Sequence, residues 1–233
     1  MNRDALAKRR RALKLGIVLT RSSTFSAPSR IRLDGAWHTL DLPDEHGVDV
    51  AFMEILLADT YGLERVRNAG TILDVGAHAG LFVLAAHRTH PRARIHAYEP
   101  NPALAGHLAR NAAPTGAEVH LEAIGVEDGH GTLEHAEESV NTRVIEAAGG
   151  DVKVTSFRTA VDRLGGRVDF LKLDCEGAEW PLFDDAEPWA GVQNVGLEYH
   201  GDGERAVAAL ERLGFTVSAA GRGPYGIVLA ERR

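Results

Sequence analysis

The sequence predicts an α/β fold in which helices pack around a mostly parallel sheet, and two adjoining stretches indicate it. The first, Ile72–Val75, is a short apolar run between turn signals, as expected of a strand buried on both faces. The second contains a glycine-rich turn over 76–80, a helical pattern over Leu81–His87 and another apolar strand over Arg94–Tyr98. Strand, helix and strand in this order form a β-α-β unit with parallel strands.

Composition limits the class of protein. The chain has 233 residues, of which 44% are hydrophobic, which is enough for one substantial core. The formal net charge of −7 argues against nucleic-acid binding as the main role. The single cysteine, Cys175, excludes an internal disulfide. Leu15–Leu19 is too short for a signal-peptide core, and no apolar run reaches a span of about eighteen residues. We therefore expect a cytoplasmic protein with no nucleic-acid or membrane partner.

The chain divides into an N-terminal extension, residues 1–47, and a main domain, residues 48–233. The first fourteen residues hold six basic side chains against one acid, which predicts a solvated helix or an arm for phosphate groups or an acidic partner. Residues 20–30 are a predicted loop that could close over a substrate. Arg30–Leu42 alternates around Asp34-Gly35, as in a hairpin. The extension is a candidate lid or homodimer contact, and plain packing explains it equally well.

Periodicity and turn residues predict the other elements of the main domain. The helices are Val48–Tyr61, a helix from an Asn101 cap to Asn111, Phe157–Leu164, a helix from Gly177 and Glu204–Leu213. The strands are Glu118–Ile124, Val168–Asp174, Val192–Tyr199, Phe215–Ser218 and Gly226–Ala230. An inserted hairpin joins Gly131–His135 to Val152–Ser156, and the polar loop Glu137–Arg143 between them is a possible substrate contact. Without that insertion, seven strands form the core sheet, and the final hairpin is antiparallel.

An acid lies at the end of the first strand and another directly follows the second, and these two acids limit the kinds of ligand that the site can bind. Glu99 follows the second strand, nineteen residues after Gly80, where an acid can bind ribose hydroxyls. Dinucleotide sites usually have a third glycine, whereas here only Gly76 and Gly80 flank the turn and Asp74 ends the first strand. An acid there suits a cationic ligand such as S-adenosylmethionine (SAM) better than a pyrophosphate. A glycine turn that merely packs a helix on a strand is the alternative.

Four motifs together resemble the FkbM family of class I SAM-dependent methyltransferases. They are Asp74-Val-Gly-Ala-His-Ala-Gly80, Glu99-Pro-Asn-Pro102, Val168-Asp-Phe-Leu-Lys-Leu-Asp-Cys-Glu-Gly-Ala-Glu179 and Leu197-Glu-Tyr-His200. The resemblance covers roughly residues 48–230, and His78 departs from it because the family more often has Asn there. It implies a Rossmann-like class I methyltransferase fold, a seven-stranded mostly parallel sheet with an antiparallel last strand. It also implies SAM as methyl donor and a seat for adenine at Ala123 and Ile124. The predicted cofactor-binding residues are Asp74, Gly76, Ala77, His78, Gly80, Glu99, Pro100, Ala123, Ile124 and Asp174.

Acids and a histidine at two further strand ends are the candidate catalytic residues. Open α/β sheets bind ligands beyond the carboxyl ends of their strands, so these side chains converge there. His200 is the candidate base that removes the proton of an acceptor hydroxyl, although a purely structural histidine is nearly as good an interpretation. Asp174 could orient His200 or hold the methionine end of SAM, and Glu176 could bind the acceptor. A helix cap with a salt bridge to Lys172 is the structural alternative for this segment.

The sequence thus predicts O-methylation of a small molecule, a sugar or a secondary metabolite, and leaves rivals open. A divalent metal held by Asp174, Glu198 and His200 could acidify the acceptor, and the acceptor could instead be an amine or a carboxylate. A nicotinamide-dependent oxidoreductase would need a third glycine, which this sequence lacks. A nucleic-acid methyltransferase would need an Asn-Pro-Pro-Tyr motif, which is also absent. A non-catalytic SAM-binding scaffold is the remaining alternative.

Overall fold

The N-terminal extension packs against the main domain in the computed structural model, which describes residues 3–19, 25–134, 139, 143–146, 149–221 and 223–232. Helix α1 is Arg3–Lys14, strands β1 and β2 are Arg30–Leu33 and Ala36–Thr39, and helix α2 is His46–Phe52. These bounds agree with the predicted basic helix and with the predicted hairpin. Of the loop predicted over residues 20–30, residues 20–24 lie outside the described part of the chain.

The predicted helix Val48–Tyr61 is interrupted. After α2 the chain continues as a π-helix over Met53–Ala58 and ends at Asp59, which has a left-handed backbone (φ 57°). π-Helical turns are frequent at functional sites because the extra residue redirects the side chains. Here Leu56 and Leu57 are buried, while Glu54 faces the cavity described below.

Eleven strands follow in the described part of the main domain, and four helices connect them. The strands are β3 Thr71–Val75, β4 Arg94–Tyr98, β5 Glu118–His120, β6 Ala123–Gly125, β7 Gly129–Glu134, β8 Arg143–Glu146, β9 Val152–Ser156, β10 Phe170–Leu173, β11 Asn194–His200, β12 Phe215–Ala220 and β13 Tyr225–Arg232. The helices are α3 Leu81–Thr89, α4 Ala105–Ala112, α5 Phe157–Arg163 and α6 Gly203–Arg212.

The main sheet has seven strands in the order β12-β13-β11-β10-β3-β4-β5. Every neighbouring pair is parallel except the two that include β13, the last strand of the chain. Helices α3 and α4 pack with the N-terminal extension on one face, and α5 and α6 pack on the other. This arrangement confirms the predicted seven-stranded, mostly parallel sheet with an antiparallel last strand.

The predicted third strand, Glu118–Ile124, is in fact two strands in two sheets. β5 ends at His120, and β6 leaves the main sheet to pair with β9 in a four-stranded sheet of order β6-β9-β7-β8. The predicted pairing of β7 with β9 is present, and β8 adds to it from what the sequence indicated as loop. The first half of the alternating run pairs with β4 and the second half with β9, both in parallel. Alternation alone does not determine which partner a strand takes.

Two predicted helix starts differ from the structure. A predicted helix from Gly177 is replaced by a turn and short 3₁₀ helices, Trp180–Phe183 and Pro188–Gly191, because Glu176 has a left-handed backbone and Pro181 restricts the residue before it. Asn101 accepts a hydrogen bond from the Ala103 N–H (3.0 Å) as predicted for a cap, yet α4 begins only at Ala105. None of the described helices has the length and apolar content that a membrane crossing requires.

Candidate active site

A cavity of about 530 Å³ lies at the carboxyl ends of β3, β4, β10 and β11. Parallel strands that run in one direction bring the residues after them to the same edge of the sheet, which explains the position. Helix α2 and the π-helix form the opposite wall, through residues such as Val50, Glu54 and Ile55. The cavity is therefore shared between the main sheet and the segment that precedes it.

The glycine turn after β3 forms one side of the cavity. The N–H groups of Gly76 and Ala77 both donate to the carbonyl oxygen of Tyr98, at 3.0 and 2.9 Å, and this fastens the turn to β4. Gly76 has a φ of +77°, and a Cβ added there would lie 1.9 Å from the carbonyl oxygen of Asp174. Only glycine fits at this position. Gly80 lies at the N-terminus of α3, outside the lining.

Glu99 lines the cavity beside Pro100 and is almost fully buried. Its two carboxylate oxygens accept the N–H groups of His78 and Asn101, each at 2.9 Å. Burial outweighs these bonds and raises the pKa of Glu99 to about 7. Each carboxylate oxygen can accept a second hydrogen bond, so the side chain can still bind a ligand hydroxyl. The ribose contact predicted for Glu99 stays a prediction.

Ala123 and Ile124, in β6, line the same cavity and are buried. The chain leaves the main sheet after β5, and β6 belongs to the four-stranded sheet, so that sheet forms this wall. Their side chains are small or apolar and offer a flat ligand a dry surface. The structure brings them together with Glu99, and their contact with adenine stays a prediction.

Asp74 lies beneath the cavity and is absent from its lining. Its side chain is fully buried, 3.4 Å from the Lys172 Nζ atom. Burial raises the pKa of Asp74 to about 6 despite that cation. The position differs from the direct ligand contact that the sequence predicts for Asp74, because the side chain is fully buried beside Lys172.

Lys172 connects the glycine turn to the second acid. Its ammonium donates to the carbonyl oxygens of Val75 (3.1 Å) and Gly76 (2.7 Å) and lies 3.3 Å from the Asp174 carboxylate. Burial alone would lower the pKa of Lys172, but the Asp174 and Asp74 carboxylates raise it overall. The lysine is therefore charged and fixes the turn and Asp174 relative to each other.

Asp174 and Glu198 meet at the hydroxyl of Tyr61. The Tyr61 oxygen lies 3.0 Å from Asp174 Oδ2 and 2.6 Å from Glu198 Oε2. Burial, with Asp174 beside it, raises the pKa of Glu198 to about 7. Asp174 Oδ1 is buried and has no hydrogen-bond partner among the described residues. Two carboxylates, one with a near-neutral pKa, thus face the cavity together.

His200 lies between two other carboxylates. Its Nε2 atom is 3.1 Å from Glu176 and its Nδ1 atom is 3.5 Å from the fully buried Glu179. The carboxylates of Glu176 and Glu179 beside the ring raise the pKa of His200 to about 10. An imidazolium has no lone pair for an incoming proton, so this arrangement argues against His200 as the general base. Glu198 is the better candidate on its pKa.

Two cavity residues have a strained backbone. His78 and Glu176 are not glycines, yet their φ angles are 49° and 53°. Such angles cost energy and are concentrated at ligand sites. The turn at Glu176 also ends the alternation predicted for Lys172, Asp174 and Glu176, since β10 stops at Leu173.

Hydrogen bonds cross the cavity mouth from the extension to the glycine turn. Glu45 accepts from the N–H and the hydroxyl of Ser139 (2.7 and 2.8 Å), and Ser139 Oγ lies 2.7 Å from His78 Nε2. Burial lowers the pKa of His78 to about 4, so the ring is neutral. Ser139 belongs to the polar loop Glu137–Arg143, of which 137, 138 and 140–142 lie outside the described residues.

The donor set does not fit the divalent metal that the sequence left open. Ligand atoms of Asp174, Glu198 and His200 do lie within 4.8 Å of one another. However, both nitrogens of His200 face carboxylates, and the Tyr61 hydroxyl already lies between the two acids. The Lys172 ammonium supplies the positive charge beside Asp174.

Sequence patterns did not identify three residues of this site. The sequence indicates Lys172 only as a salt-bridge partner, and Glu179 only as the end of a motif. Tyr61 had no signal, because it ends a helical pattern far from the acids in sequence and reaches them only through the fold. The alternation of Lys172 with Asp174 was the one usable signal for the buried ion pair.

The order and directions of the seven strands, with a cavity at their carboxyl ends, define the Rossmann-like fold of class I methyltransferases. The Methanococcus jannaschii fibrillarin pre-rRNA processing protein has a similar fold. Its TM-score is 0.50 at 11% identity, over 92% of this chain and 86% of that one. This likeness concerns the fold alone.

Residues 74–215 match the Methyltransferase FkbM domain, and the chain belongs to this methyltransferase family. It is 30% identical to the methyltransferase sdnD of Sordaria araneosa, over 72% of this chain and 82% of that protein. It is 26% identical to the AMB antimetabolite synthetase AmbE of Pseudomonas aeruginosa strain PAO1, over 79% of this chain. The match spans only 12% of AmbE. The family predicted from the four motifs is thereby confirmed.

Proposed function

We propose that the protein transfers a methyl group from SAM to a hydroxyl of a small molecule. The observation that supports it most is the cavity between the glycine turn and the Asp174–Glu198 pair. A cofactor can lie along the turn while an acceptor approaches the acids from the side of the π-helix. Membership of a methyltransferase family agrees with this assignment.

The residues present fit SAM. Buried Asp174 Oδ1 has no hydrogen-bond partner among the described residues, so it is available to an ammonium. Glu99 would bind ribose hydroxyls, and Ala123 and Ile124 would cover the base. When bound, SAM supplies an electrophilic methyl group on a sulfonium, whose positive charge suits an acid-lined cavity.

The acceptor side is built to hold and deprotonate a hydroxyl. Glu198, with its pKa near 7, accepts the proton. Asp174 is linked to Glu198 through the Tyr61 hydroxyl, which contacts both carboxylates. Val50 and Ile55 give one wall apolar side chains. Protonated His200 holds Glu176 in place, so that its carboxylate can bind a further polar group of the acceptor.

The acceptor class is a neutral polar molecule, a sugar or a secondary metabolite. Glu54, Asp174, Glu176 and Glu198 surround the acceptor side, and like charges disfavour a carboxylate or phosphate there. AmbE is named an antimetabolite synthetase, which agrees with secondary metabolism as the setting. The same acids favour an amine as the second candidate acceptor. Cytoplasmic location, the absence of nucleic-acid partners and a homodimer through the extension stay predictions.

Calorimetry with SAM and with S-adenosylhomocysteine tests the cofactor assignment. We expect both to bind, and Glu99→Gln to weaken S-adenosylhomocysteine binding roughly tenfold through the loss of about 1.4 kcal/mol. Glu127→Gln, at an exposed position, is the matched control and should bind normally. No heat with either ligand would overturn the proposal.

Transfer of label from methyl-labelled SAM tests the acceptor class. The acceptors compared are sugars, amino sugars, hydroxylated secondary metabolites, matched carboxylates and RNA. We expect label in the hydroxyl-bearing compounds, located at oxygen by mass spectrometry. Label in carboxylates or RNA alone would contradict the proposed acceptor, and label at nitrogen would replace it by the amine candidate.

A further inference from the structure

Tyr61 lies before the family-matched residues 74–215, yet its side chain is in the centre of the site. The hydroxyl contacts both acids that face the cavity, Asp174 at 3.0 Å and Glu198 at 2.6 Å. The residue is only 5% exposed, so water does not compete for these contacts. A residue of the preceding segment thus completes an acid pair that the family motifs supply.

The fold makes room for Tyr61 at a cost to the sheet. Gly196 lies inside β11, two residues before Glu198 and on the same face. A Cβ at Gly196 would lie 2.8 Å from the Tyr61 carbonyl oxygen and 3.0 Å from its Cβ. Glycine inside a strand is unfavourable and often marks a close backbone approach. Here the approaching backbone is that of Tyr61.

Two further contacts fix the Tyr61 ring. Its ring meets that of Phe82 edge to face, with centroids 5.8 Å apart and planes at 81°. The Lys172 ammonium lies 5.3 Å from the ring centroid. The hydroxyl position is therefore set by the main sheet and by α3.

Proton counting gives the contact a chemical meaning. A phenol has one proton, so Tyr61 can donate to only one of its two acids. The Tyr61 oxygen must therefore accept a hydrogen bond from the other acid, and that acid must carry a proton on its carboxyl group. Burial and the neighbouring Asp174 raise the pKa of Glu198 to about 7, which agrees with a proton shared by the pair. Among the described residues, the other titratable groups that act on this pair include Lys172, His200, Glu54, Asp74 and His78.

Given the methyltransferase function proposed above, we propose that Tyr61 is a positioning residue that holds Asp174 and Glu198 together as one proton-accepting pair. The step starts from the ionised pair, in which Tyr61 donates to one carboxylate. The acceptor O–H bond breaks, and its proton passes to a Glu198 oxygen, which gives the form with one shared proton. The electron pair stays on the acceptor oxygen and forms the bond to the methyl carbon, whose bond to sulfur breaks and leaves a neutral thioether.

The first test needs neither methyl donor nor acceptor. Carboxyl carbons of glutamate are labelled with ¹³C, and the Glu198 signal is assigned by its loss in Glu198→Gln. We expect a midpoint near neutral pH in the wild-type protein. Tyr61→Phe keeps the ring but removes the hydrogen bond that favours the ionised carboxylate, so its midpoint should rise by about one unit.

Tyr199→Phe is the matched control. Tyr199 is a buried tyrosine of the same sheet whose hydroxyl donates to the Gly223 carbonyl oxygen, away from the cavity. Its removal should leave the Glu198 midpoint unchanged. An unchanged midpoint in Tyr61→Phe, with the fold intact by circular dichroism, would overturn the inference even if methyl transfer is confirmed.

The second test is kinetic and uses the acceptor identified by label transfer. In Tyr61→Phe we expect kcat to fall about 10- to 100-fold, KM for SAM to stay within about twofold, and the acid limb of the pH profile to rise with the Glu198 midpoint. Tyr61→Phe should add little to Glu198→Gln, because both act on one pair. Full additivity or an unmoved pH profile would contradict the positioning role.

Discussion

His200, whose pKa is raised, lies between the carboxylates of Glu176 and Glu179. The Glu176 and Glu179 carboxylates raise the pKa of His200 to about 10. The folded chain therefore keeps a proton on this ring that the unfolded chain releases at about pH 6.5. The stabilisation is complete below the unfolded pKa and is lost as the pH rises towards 10. We expect His200 to remain protonated at neutral pH in an NMR titration.

Glu176→Gln should lower the His200 midpoint by roughly one unit or more, since it removes the larger of the two causes. His107 provides an internal reference because it lies elsewhere, beside Asp41 (3.0 Å). If His200 titrated near 6.5 in the wild-type protein, the original hypothesis of a histidine base would regain its support.

Lys172 compensates the charge of buried Asp74, whose carboxylate oxygens have no hydrogen-bond partner among the described residues. Lys172→Met would leave Asp74 buried without its cation, and breaking a buried ion pair costs about 3–5 kcal/mol. We expect that loss in the free energy of unfolding by urea. Asp74→Asn in the same chain should restore part of it.

Lys153→Met is the control for Lys172→Met. Lys153 also pairs with an acid, Glu122 at 2.6 Å, but its side chain is 56% exposed. The expected change is below about 1 kcal/mol. Equal losses in the two variants would show that the buried pair contributes no more than an exposed one.

At the scale of single residues, the sequence identified most of the cavity acids but not their states. Glu99, Asp174 and Glu198 follow or lie in strands, so a topological rule finds them without coordinates. The protonation of His200 depends on Glu176 and Glu179, and Glu179 reaches it through a turn that no periodicity describes. Position in the sequence predicts Asp74 in the lining, and only its full burial in the folded chain shows that it lies beneath.

At the scale of elements, the turn after β3 is the most constrained. Gly76→Ala adds a Cβ 1.9 Å from the Asp174 carbonyl oxygen, whereas Gly116, of similar φ (+70°), has nothing within 4 Å. Gly116→Ala should cost roughly 1–2 kcal/mol through its backbone alone. Gly76→Ala should cost more than about 3 kcal/mol and abolish S-adenosylhomocysteine binding, as judged by urea unfolding and calorimetry. Equal costs would contradict the clash.

Elements with one strong pattern were predicted well, and those with competing partners were not. Most strands of the main sheet carry apolar runs between turn signals, so their existence follows from the sequence. The split between β5 and β6 depends on β9, which is distant in sequence and offers β6 a second partner. The π-helix likewise follows from packing, since Arg11 donates to the carbonyl oxygens of Leu57 and Ala58 at its end.

At the scale of the whole molecule, the predicted boundary at residue 48 divides the chain but not the core. Ala12, Leu15 and Ile31 belong to the same buried cluster as Phe82 and Phe170 of the main domain. The extension therefore contributes directly to the stability of the cavity wall, and the domain division itself stays a prediction.

Two leucines of the extension test this continuity. Leu15 is fully buried and Leu13 is 65% exposed. Leu15→Ala should lower the free energy of unfolding of the whole protein by about 2–5 kcal/mol in one transition, and Leu13→Ala by less than about 0.5 kcal/mol. A separate early transition in Leu15→Ala would mean that residues 1–47 unfold on their own.

The close fit of Gly196 against Tyr61 has a consequence for the history of the chain. A larger residue at 196 would displace the backbone of residue 61 whichever side chain stands there, because the nearest atoms are the carbonyl oxygen and the Cβ. The glycine therefore depends on the path of the chain and not on the aromatic ring. Aligned descendants should keep glycine at 196 even where residue 61 is no longer tyrosine, although 135 positions separate the two sites.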